Sequence, residues 1–599
     1  MLSSRIYLAP DESSPWQTTG KLFKIAMIEI LSHLIFLYGA DKAPQLLERL
    51  QRIMAGYRTR VPARDDELTE RDSILITYGD QLQSAGEKPL QTLGAFCNQY
   101  LKGVVSGIHF LPFYPWTSDD GFSVADYRKV DPALGDWEDI SAIQDHFRLM
   151  FDAVINHASS QHEWFQAFLR ADSQYRAYFI VVEGNPDLSQ VVRPRALPLL
   201  TTFDTSSGPK QVWTTFSADQ VDLNFRNPDV LLEIIDTLLF YVAHGAQFIR
   251  LDAIAYMWKE IGTSCIHLPQ THRIIRLFRS VLDEVAPHVL LITETNVPHN
   301  ENISYFGDGR DEAQMVYNFA LPPLVLHTFY TGNSRVLSEW AAELKLPSSR
   351  TTFFNFLASH DGIGINPARG ILSDIEIDAL IEQAIRHGGL VSYKDDASSV
   401  QRPYELNINY FDALSDPRAQ EPLSTQVDRF MTAQAIMLAL VGIPGIYFHS
   451  LFGSRGWHEG VDLTGRNRTI NRQKLDLAGF ESALTDEASL CHHVFSTYAQ
   501  YLRVRSTSLA FHPHGTQRVL DCGESIFALL RLSVDGNQRI LCLHNISNQP
   551  QKVTADLKDV FNSSSGRLVD LITNQLVDNA LNIRLALQPY QTLWLETRE

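Results

Sequence analysis

Cysteine is scarce in this chain: five among 599 residues, at positions 97, 265, 491, 522 and 542, with no Cys-x-x-Cys pair. An odd, scattered set excludes a disulfide framework and offers no structural zinc site, and it fits a reducing, cytoplasmic compartment. Long apolar runs are also lacking. The most apolar stretch, Leu22 to Tyr38, is broken by Lys24, Glu29 and His33, so an amphipathic helix is expected there in place of a membrane span or a signal segment. Basic residues are outnumbered, 51 Lys and Arg against 69 Asp and Glu, for a formal net charge of −18. A nucleic-acid backbone or an anionic membrane surface would be repelled, because binding to either rests on clustered cations. Small anionic substrates are still admitted, since a few convergent arginines override the global field at short range. The sequence shows no internal repeat and no cluster of metal-ligating residues, and it leaves the oligomeric state open, a homodimer included.

What is present is ordinary globular composition, 45% hydrophobic and 20% charged, over a length that suits a barrel of about 250 residues with accessory domains. Residues 1–72 read as a helical extension: a polar lead, apolar residues at helical spacing through Ile25, Ile28, Ile30 and Leu31, then a charged helix around Leu46 to Met54. From Ser73 short β-branched or aromatic runs alternate with helical stretches, the pattern of repeated βα units. Eight strands are expected, at Ile74–Tyr78, Gly107–Pro112, Leu149–Ile155, Gln247–Ala253, Val289–Thr293, Met315–Phe319, Phe353–Ala358 and Ile443–His449. The fold class is therefore α/β, a (β/α)8 TIM barrel over 73–507, with inserted loop subdomains at about 157–228 and 362–430. Alternating strands with turn signals (Ile526–Leu532, Ile540–His544, Tyr590–Leu595) predict an all-β domain over 508–599.

Three acids stand at or just beyond predicted strand ends: Asp252 in Ile-Arg-Leu-Asp-Ala, Glu294 in Ile-Thr-Glu-Thr-Asn and Asp361 in Ala-Ser-His-Asp-Gly. Barrel active sites form at that face. A lone acid there would more often cap a helix, but three together fit the pair of carboxyls, about 5–5.5 Å apart, that a retaining glycosidase uses. Asp252 would attack the anomeric carbon and Glu294 would act as general acid/base. Arg250, two residues before Asp252 and so on the same strand face, is expected to depress the Asp252 pKa. Glu294 must start protonated, which desolvation or the negative charge of Asp252 would secure.

Asp152-Ala-Val-Ile-Asn-His157, Arg250-Leu-Asp252, Glu294 and His360-Asp361 resemble, in the correct order, the conserved regions of the α-amylase superfamily (glycoside hydrolase family 13), with Val221-Asp-Leu-Asn224 as a further one. The resemblance implies that Asp361 stabilises the transition state. Amylases often hold calcium through the asparagine that corresponds to Asn156, but one matching ligand predicts no metal here.

Longer strings, Leu111-Pro-Phe-Tyr-Pro115, Ser118-Asp-Asp-Gly-Phe122, Arg193-Pro-Arg195, Lys259-Glu-Ile-Gly-Thr-Ser-Cys265 and Arg468-Thr-Ile-Asn-Arg472, are similar to the sucrose-phosphorylase-like subfamily. That likeness implies that Asp119, His157, Arg250, His360 and Arg468 hold glucose at the −1 subsite. Phe122 and Phe216 would supply an apolar wall and Gln220 a weaker contact. Arg195 with Tyr404 would clamp phosphate, Tyr256 lining the same subsite, so phosphate is a co-substrate and no cofactor is implied. Sucrose phosphorylases carry a His two residues after the acid/base, where this chain has Asn296. Its strings look more like those of glucosylglycerate phosphorylases, with Arg193, Lys259 and Lys394 as candidate cations for the acceptor. The alternatives are a sucrose, sucrose 6′-phosphate or glucosylglycerol phosphorylase, or an α-glucosidase or transglucosylase of the same fold. A non-catalytic sugar-binding protein on this barrel would usually have lost one of the carboxylates, and all three remain.

Overall fold

The computed structural model describes residues 15–62, 64, 67–195, 197–395, 401–561, 566–578 and 582–598. The polar lead before residue 15 lies outside them. Eight parallel strands close into a barrel: β1 (Ile74–Thr77), β2 (Gly107–Phe110), β3 (Arg148–Ala153), β4 (Ala246–Leu251), β5 (Leu290–Thr293), β6 (Met315–Tyr317), β7 (Thr352–Asn355) and β8 (Ile443–Tyr447). Neighbours follow chain order and β8 pairs with β1 to close the ring. All eight expected strands are present, most of them ending earlier than the sequence suggested. The chain leaves the ladder at the polar residues: β4 stops before Asp252 and β7 at Asn355, and the side chains beyond serve the site.

Strands such as Ala246-Gln-Phe-Ile-Arg-Leu251 are buried on both faces because helices cover the barrel outside. Helices α1 (Pro15–Tyr38) and α2 (Ala43–Arg58) lie on that helical layer, against α3 (Pro228–Ala243) and α4 (Pro269–Val285). Tyr38 donates to the Phe225 carbonyl at 2.8 Å, and Arg49 meets Asp229 at 2.7 Å. The helical extension is thus packed against the barrel wall.

Between β3 and β4 stand a three-stranded sheet (Val181–Val182, Gly208–Trp213, Leu200–Thr205) and the pair His157–Ser159 with Gln220–Asp222. Between β7 and β8, a hairpin of Leu390–Asp395 and Gln401–Asn407 joins Ile363–Gly364. Both insertions contribute residues to the pocket that contains the acids at the strand ends. After the barrel, a six-stranded antiparallel sheet and a two-stranded pair share their own apolar core, which includes Leu530, Leu541, Leu568 and Leu595. A short helix, Lys558–Phe561, interrupts these strands.

Candidate active site

Asp252 follows β4 directly and Glu294 follows β5 directly, so the two carboxyls leave adjacent strands at the same rim. The turn after Asp252 is forced through Ala253, which sits in the left-handed region at φ 48°. A non-glycine residue there costs about 1–3 kcal/mol, a strain that clusters at functional sites. Here it aims the Ala253 N–H at Glu294 Oε2, 3.1 Å away. Asp361 arrives from the loop after β7.

Below these acids runs a buried polar column that the sequence reading missed. Register places Arg250 of β4 beside Asp152 of β3, and His109 of β2 stands 2.8 Å from the other Asp152 oxygen. Arg250 bonds to Asp152, donates to Asp252 at 2.8 Å and stands 3.9 Å from Glu294. Its guanidinium lies between the rings of Phe122 and Tyr317, 5.7 and 5.4 Å from their centroids. The expectation of a depressed Asp252 pKa is corrected. Burial pushes this carboxyl up, to about 8; Arg250 pulls it down, while Glu294 and Asp152 push it further up. Burial likewise raises Glu294, opposed by Arg250 and helped by Asp361. Two raised carboxyls on adjacent strands, each near Arg250, titrate as a pair. Arg250 bonds Asp252 directly and Glu294 only at a distance, so it favours the charged form of Asp252 more than that of Glu294.

The pocket above is enclosed by Asp119, Phe122, His157, Arg195, Phe216, Gln220, Tyr256, Asn296, His360, Tyr404 and Arg468 with the three acids. Of the residues expected to hold glucose or phosphate, Arg250 lies outside this lining and supports it from beneath. His360 stacks on Phe122 with ring centroids 4.8 Å apart and planes inclined by 5°. His157 Nε2 lies 2.9 Å from the Phe122 carbonyl and 3.2 Å from Gln220 Nε2. Gln220 also donates to Asp119 at 3.3 Å. Burial keeps both histidines neutral, His360 falling to about 3. Asp119 is pushed up by burial, but Arg195, Arg468 and Arg472 together hold it at about 2. Asp119 and Asp120 are consecutive left-handed residues, φ 55° and 50°. Their loop is held by Asp219, whose carboxylate accepts from the hydroxyls of Thr117, Ser118, Ser123 and Ser160.

Arg468 bonds to Asp361 and makes a two-pronged contact with Glu405, at 3.0 and 2.6 Å. Glu405 is buried and was not foreseen; nor was Arg472, which donates to the His360 carbonyl at 2.9 Å and to Asp361 at 3.3 Å. Both arginines hold Asp361 well below the usual carboxylate range against its burial. Arg195 donates to Asp119 at 3.0 Å and lies over Phe216, 5.8 Å from its ring centroid. Tyr404 accepts from Asn296 at 3.2 Å, and Tyr256 meets Phe216 edge-on at 5.6 Å.

The candidate acceptor cations separate. Lys259 does not line the pocket: it is buried, 2.5 Å from Asp222 and 2.7 Å from the Asn156 side-chain oxygen. Its ammonium thus occupies Asn156 and Asp222, the residues of two amylase-like motifs. Arg193 and Lys394 line an outer chamber of about 780 Å³ that shares Tyr256, Asn296, Val297 and Tyr404 with the inner pocket. Arg369 and Arg402, which sequence did not single out, line it too. No helix among the described residues is long and apolar enough to cross a membrane.

A barrel with three acids at its carboxyl rim defines a class, and the comparisons agree: the α-amylase catalytic-domain model matches residues 98–361. The chain belongs to the α-amylase family. Within it, the chain is 52% identical to the glucosylglycerate phosphorylase of Allomeiothermus silvanus, over 94% of this chain and 98% of that one. It is 44% identical to the glucosylglycerate phosphorylase of Escherichia coli, over 95% and 100% of the two chains. Among solved structures it resembles the sucrose 6F-phosphate phosphorylase from Thermoanaerobacter thermosaccharolyticum, with TM-score 0.70, 25% identity, and 80% and 94% of the chains covered.

Proposed function

We propose that this protein is a retaining glycoside phosphorylase, a glycosyltransferase-type enzyme that converts 2-O-α-D-glucosyl-D-glycerate and phosphate to α-D-glucose 1-phosphate and D-glycerate. The observation that carries this reading is the convergence of Asp252, Glu294 and Asp361 on one enclosed pocket that also contains Arg195. The high identity to glucosylglycerate phosphorylases over nearly their full length supports the substrate.

Asp252 attacks the anomeric carbon as the bond to the glycerate oxygen breaks, and Glu294 passes its proton to that oxygen. The product is a glucosyl ester on Asp252. A phosphate oxygen then attacks the same carbon, its proton passing back to Glu294 as the ester bond to Asp252 breaks, and two inversions leave the α configuration. Asp361, kept ionised by Arg468 and Arg472, faces the positive charge that develops on the sugar ring. Asp119, His157, His360 and Arg468 bind the glucose hydroxyls, with Gln220 beside them and Phe122 and Phe216 as the apolar wall. Arg195 and Tyr404 clamp phosphate, with Tyr256 and Asn296 at the mouth of the pocket. The scattered free cysteines support a cytoplasmic site of action.

The test supplies α-D-glucose 1-phosphate with single acceptors and follows phosphate release. D-glycerate should react faster than fructose, fructose 6-phosphate or glycerol at matched concentration. Faster release with either fructose compound would overturn the acceptor and leave the phosphorylase mechanism standing. Release that is independent of any acceptor would point to a hydrolase.

For the anion clamp, Arg195→Ala should raise the KM for phosphate roughly 10–150-fold, the equivalent of one charge-assisted hydrogen bond of about 1.5–3 kcal/mol. Arg195 also pairs with Asp119, so the KM for the glucoside is measured alongside. A larger change in the glucoside KM than in the phosphate KM would reduce Arg195 to a support for Asp119.

A further inference from the structure

Asp119, Phe122, His157 and Gln220 line the sugar pocket but arrive on three separate segments, and a carboxylate outside that lining joins all three. Asp119 and Phe122 come on the loop after β2, His157 on the strand His157–Ser159 and Gln220 on its antiparallel partner Gln220–Asp222. The half-buried Asp219 immediately precedes Gln220. Its Oδ2 accepts from Thr117 Oγ1 at 2.6 Å, Ser123 Oγ at 2.7 Å and Ser118 Oγ, all on the loop after β2. Its Oδ1 accepts from Ser160 Oγ at 2.6 Å, one residue beyond the His157 strand, and its main-chain carbonyl takes the Ser160 amide at 2.8 Å.

A hydroxyl has a single proton to give, and these four give theirs to one ionised carboxylate, which has about four lone-pair sites. A side-chain amide in the same place would turn its NH2 group toward at least one of the hydroxyls. Burial pushes the Asp219 carboxyl up, and the same hydroxyls hold it at about 2. What this carboxylate holds is a strained backbone. Asp119, Asp120 and Gly121 follow one another at φ 55°, 50° and 109°, and a Cβ on Gly121 would lie 2.7 Å from the Pro112 carbonyl oxygen. Such a conformation persists only where its surroundings over-determine it. Arg195 and Arg472 anchor the side chains of Asp119 and Asp120. Asp219 fixes both flanks of the turn, Thr117 and Ser118 before it and Ser123 after it.

We propose that Asp219 is a positioning residue for glucose binding: it keeps the loop after β2 in the strained form that presents Asp119 and Phe122 to the sugar, in register with His157 and Gln220. The proposal rests on the assignment of these residues to the glucose subsite above. Without the carboxylate the loop relaxes into unstrained forms, and the affinity for a free glucosyl donor falls with the fraction of molecules that still hold the binding form. Once glucose is bonded to Asp252, the tethered sugar itself holds the loop, at an effective concentration set by the ester. Attack by phosphate on that ester is therefore affected less than its formation.

The experiment uses the full chain and compares wild type, Asp219→Asn and Ser118→Ala in phosphorolysis of 2-O-α-D-glucosyl-D-glycerate, with glucoside and phosphate varied independently. In a double displacement, kcat/KM for the glucoside reports formation of the glucosyl ester and kcat/KM for phosphate reports its breakdown. The ratio of the two cancels any difference in the amount of folded enzyme. Asp219→Asn should lower kcat/KM for the glucoside about 10- to 100-fold, chiefly through KM, and that for phosphate by less than about threefold. Ser118→Ala, which keeps the carboxylate and removes a single donor, should lower the glucoside value about 3- to 10-fold in the same sense. With α-D-glucose 1-phosphate as donor the losses should match those with the glucoside, because the two donors share the glucose. An unchanged ratio overturns the proposal: equal losses would make Asp219 a support of the fold alone, and no loss would make it dispensable. A loss with the glucoside that is absent with α-D-glucose 1-phosphate also overturns it, by moving the effect to the acceptor side. Should Asp219→Asn not fold, the ratio in Ser118→Ala decides between the same outcomes. A wild-type enzyme that transfers glucose from neither donor overturns the subsite assignment, and the proposal with it.

Discussion

Asp252→Ala is expected to abolish turnover, by about 10⁴-fold or more, because it removes the atom that forms the glucosyl ester and leaves no substitute path. The loss should appear in glucosyl transfer from α-D-glucose 1-phosphate and from the α-glucoside alike. The second expectation distinguishes the fold from the chemistry: no glucosylated protein should be trapped by mass spectrometry in this variant, while its circular dichroism remains that of wild type. Wild-type-like rates, or an ester found on another residue, would remove Asp252 from its role.

Glu294→Gln should behave differently according to the leaving group. With the α-glucoside, the departing alkoxide needs a proton, and losing a general acid costs about 10²–10⁴-fold. With α-glucosyl fluoride, whose leaving group needs no proton, formation of the glucosyl ester should be affected far less. Comparable losses with both donors would mean that Glu294 positions the substrate without donating a proton. The raised Glu294 pKa supports the acid role, and it arises mainly from burial in the closed pocket.

The barrel was legible because parallel strands buried on both faces leave short apolar runs, each ending where a polar residue meets the rim. Asp252, Glu294 and Asp361 stood out for the same reason: acids at strand ends are unusual in core segments and usual at barrel sites. The polar column was hidden, since nothing in Arg148–Ala153 alone states that Asp152 lies beside Arg250. That follows from the strand register, a relation between segments almost a hundred residues apart. Glu405 and Arg402 were hidden because they sit on an inserted hairpin whose alternation carries no signal of its own. The Asp252 titration was misjudged because sequence shows the neighbouring arginine and conceals the burial, which here outweighs it. Lys259 was misjudged for the opposite reason: a lysine inside a motif-like string reads as a ligand-binding charge, and only the packed structure brings it onto Asp222 and Asn156.

That last contact gives the corner beneath the first insertion an uncommon kind of permanence. Asp222 also accepts from the Thr215 amide and hydroxyl, both at 2.7 Å, so the lysine closes a knot that ties the inserted segment to the loops after β3 and β4. A positive charge supplied by the chain's own side chain arrives with folding and does not exchange with the medium. Its local concentration is set by the backbone, as for any tethered partner. The seam that carries His157 and Gln220 to the sugar pocket therefore takes its balancing charge from the chain itself.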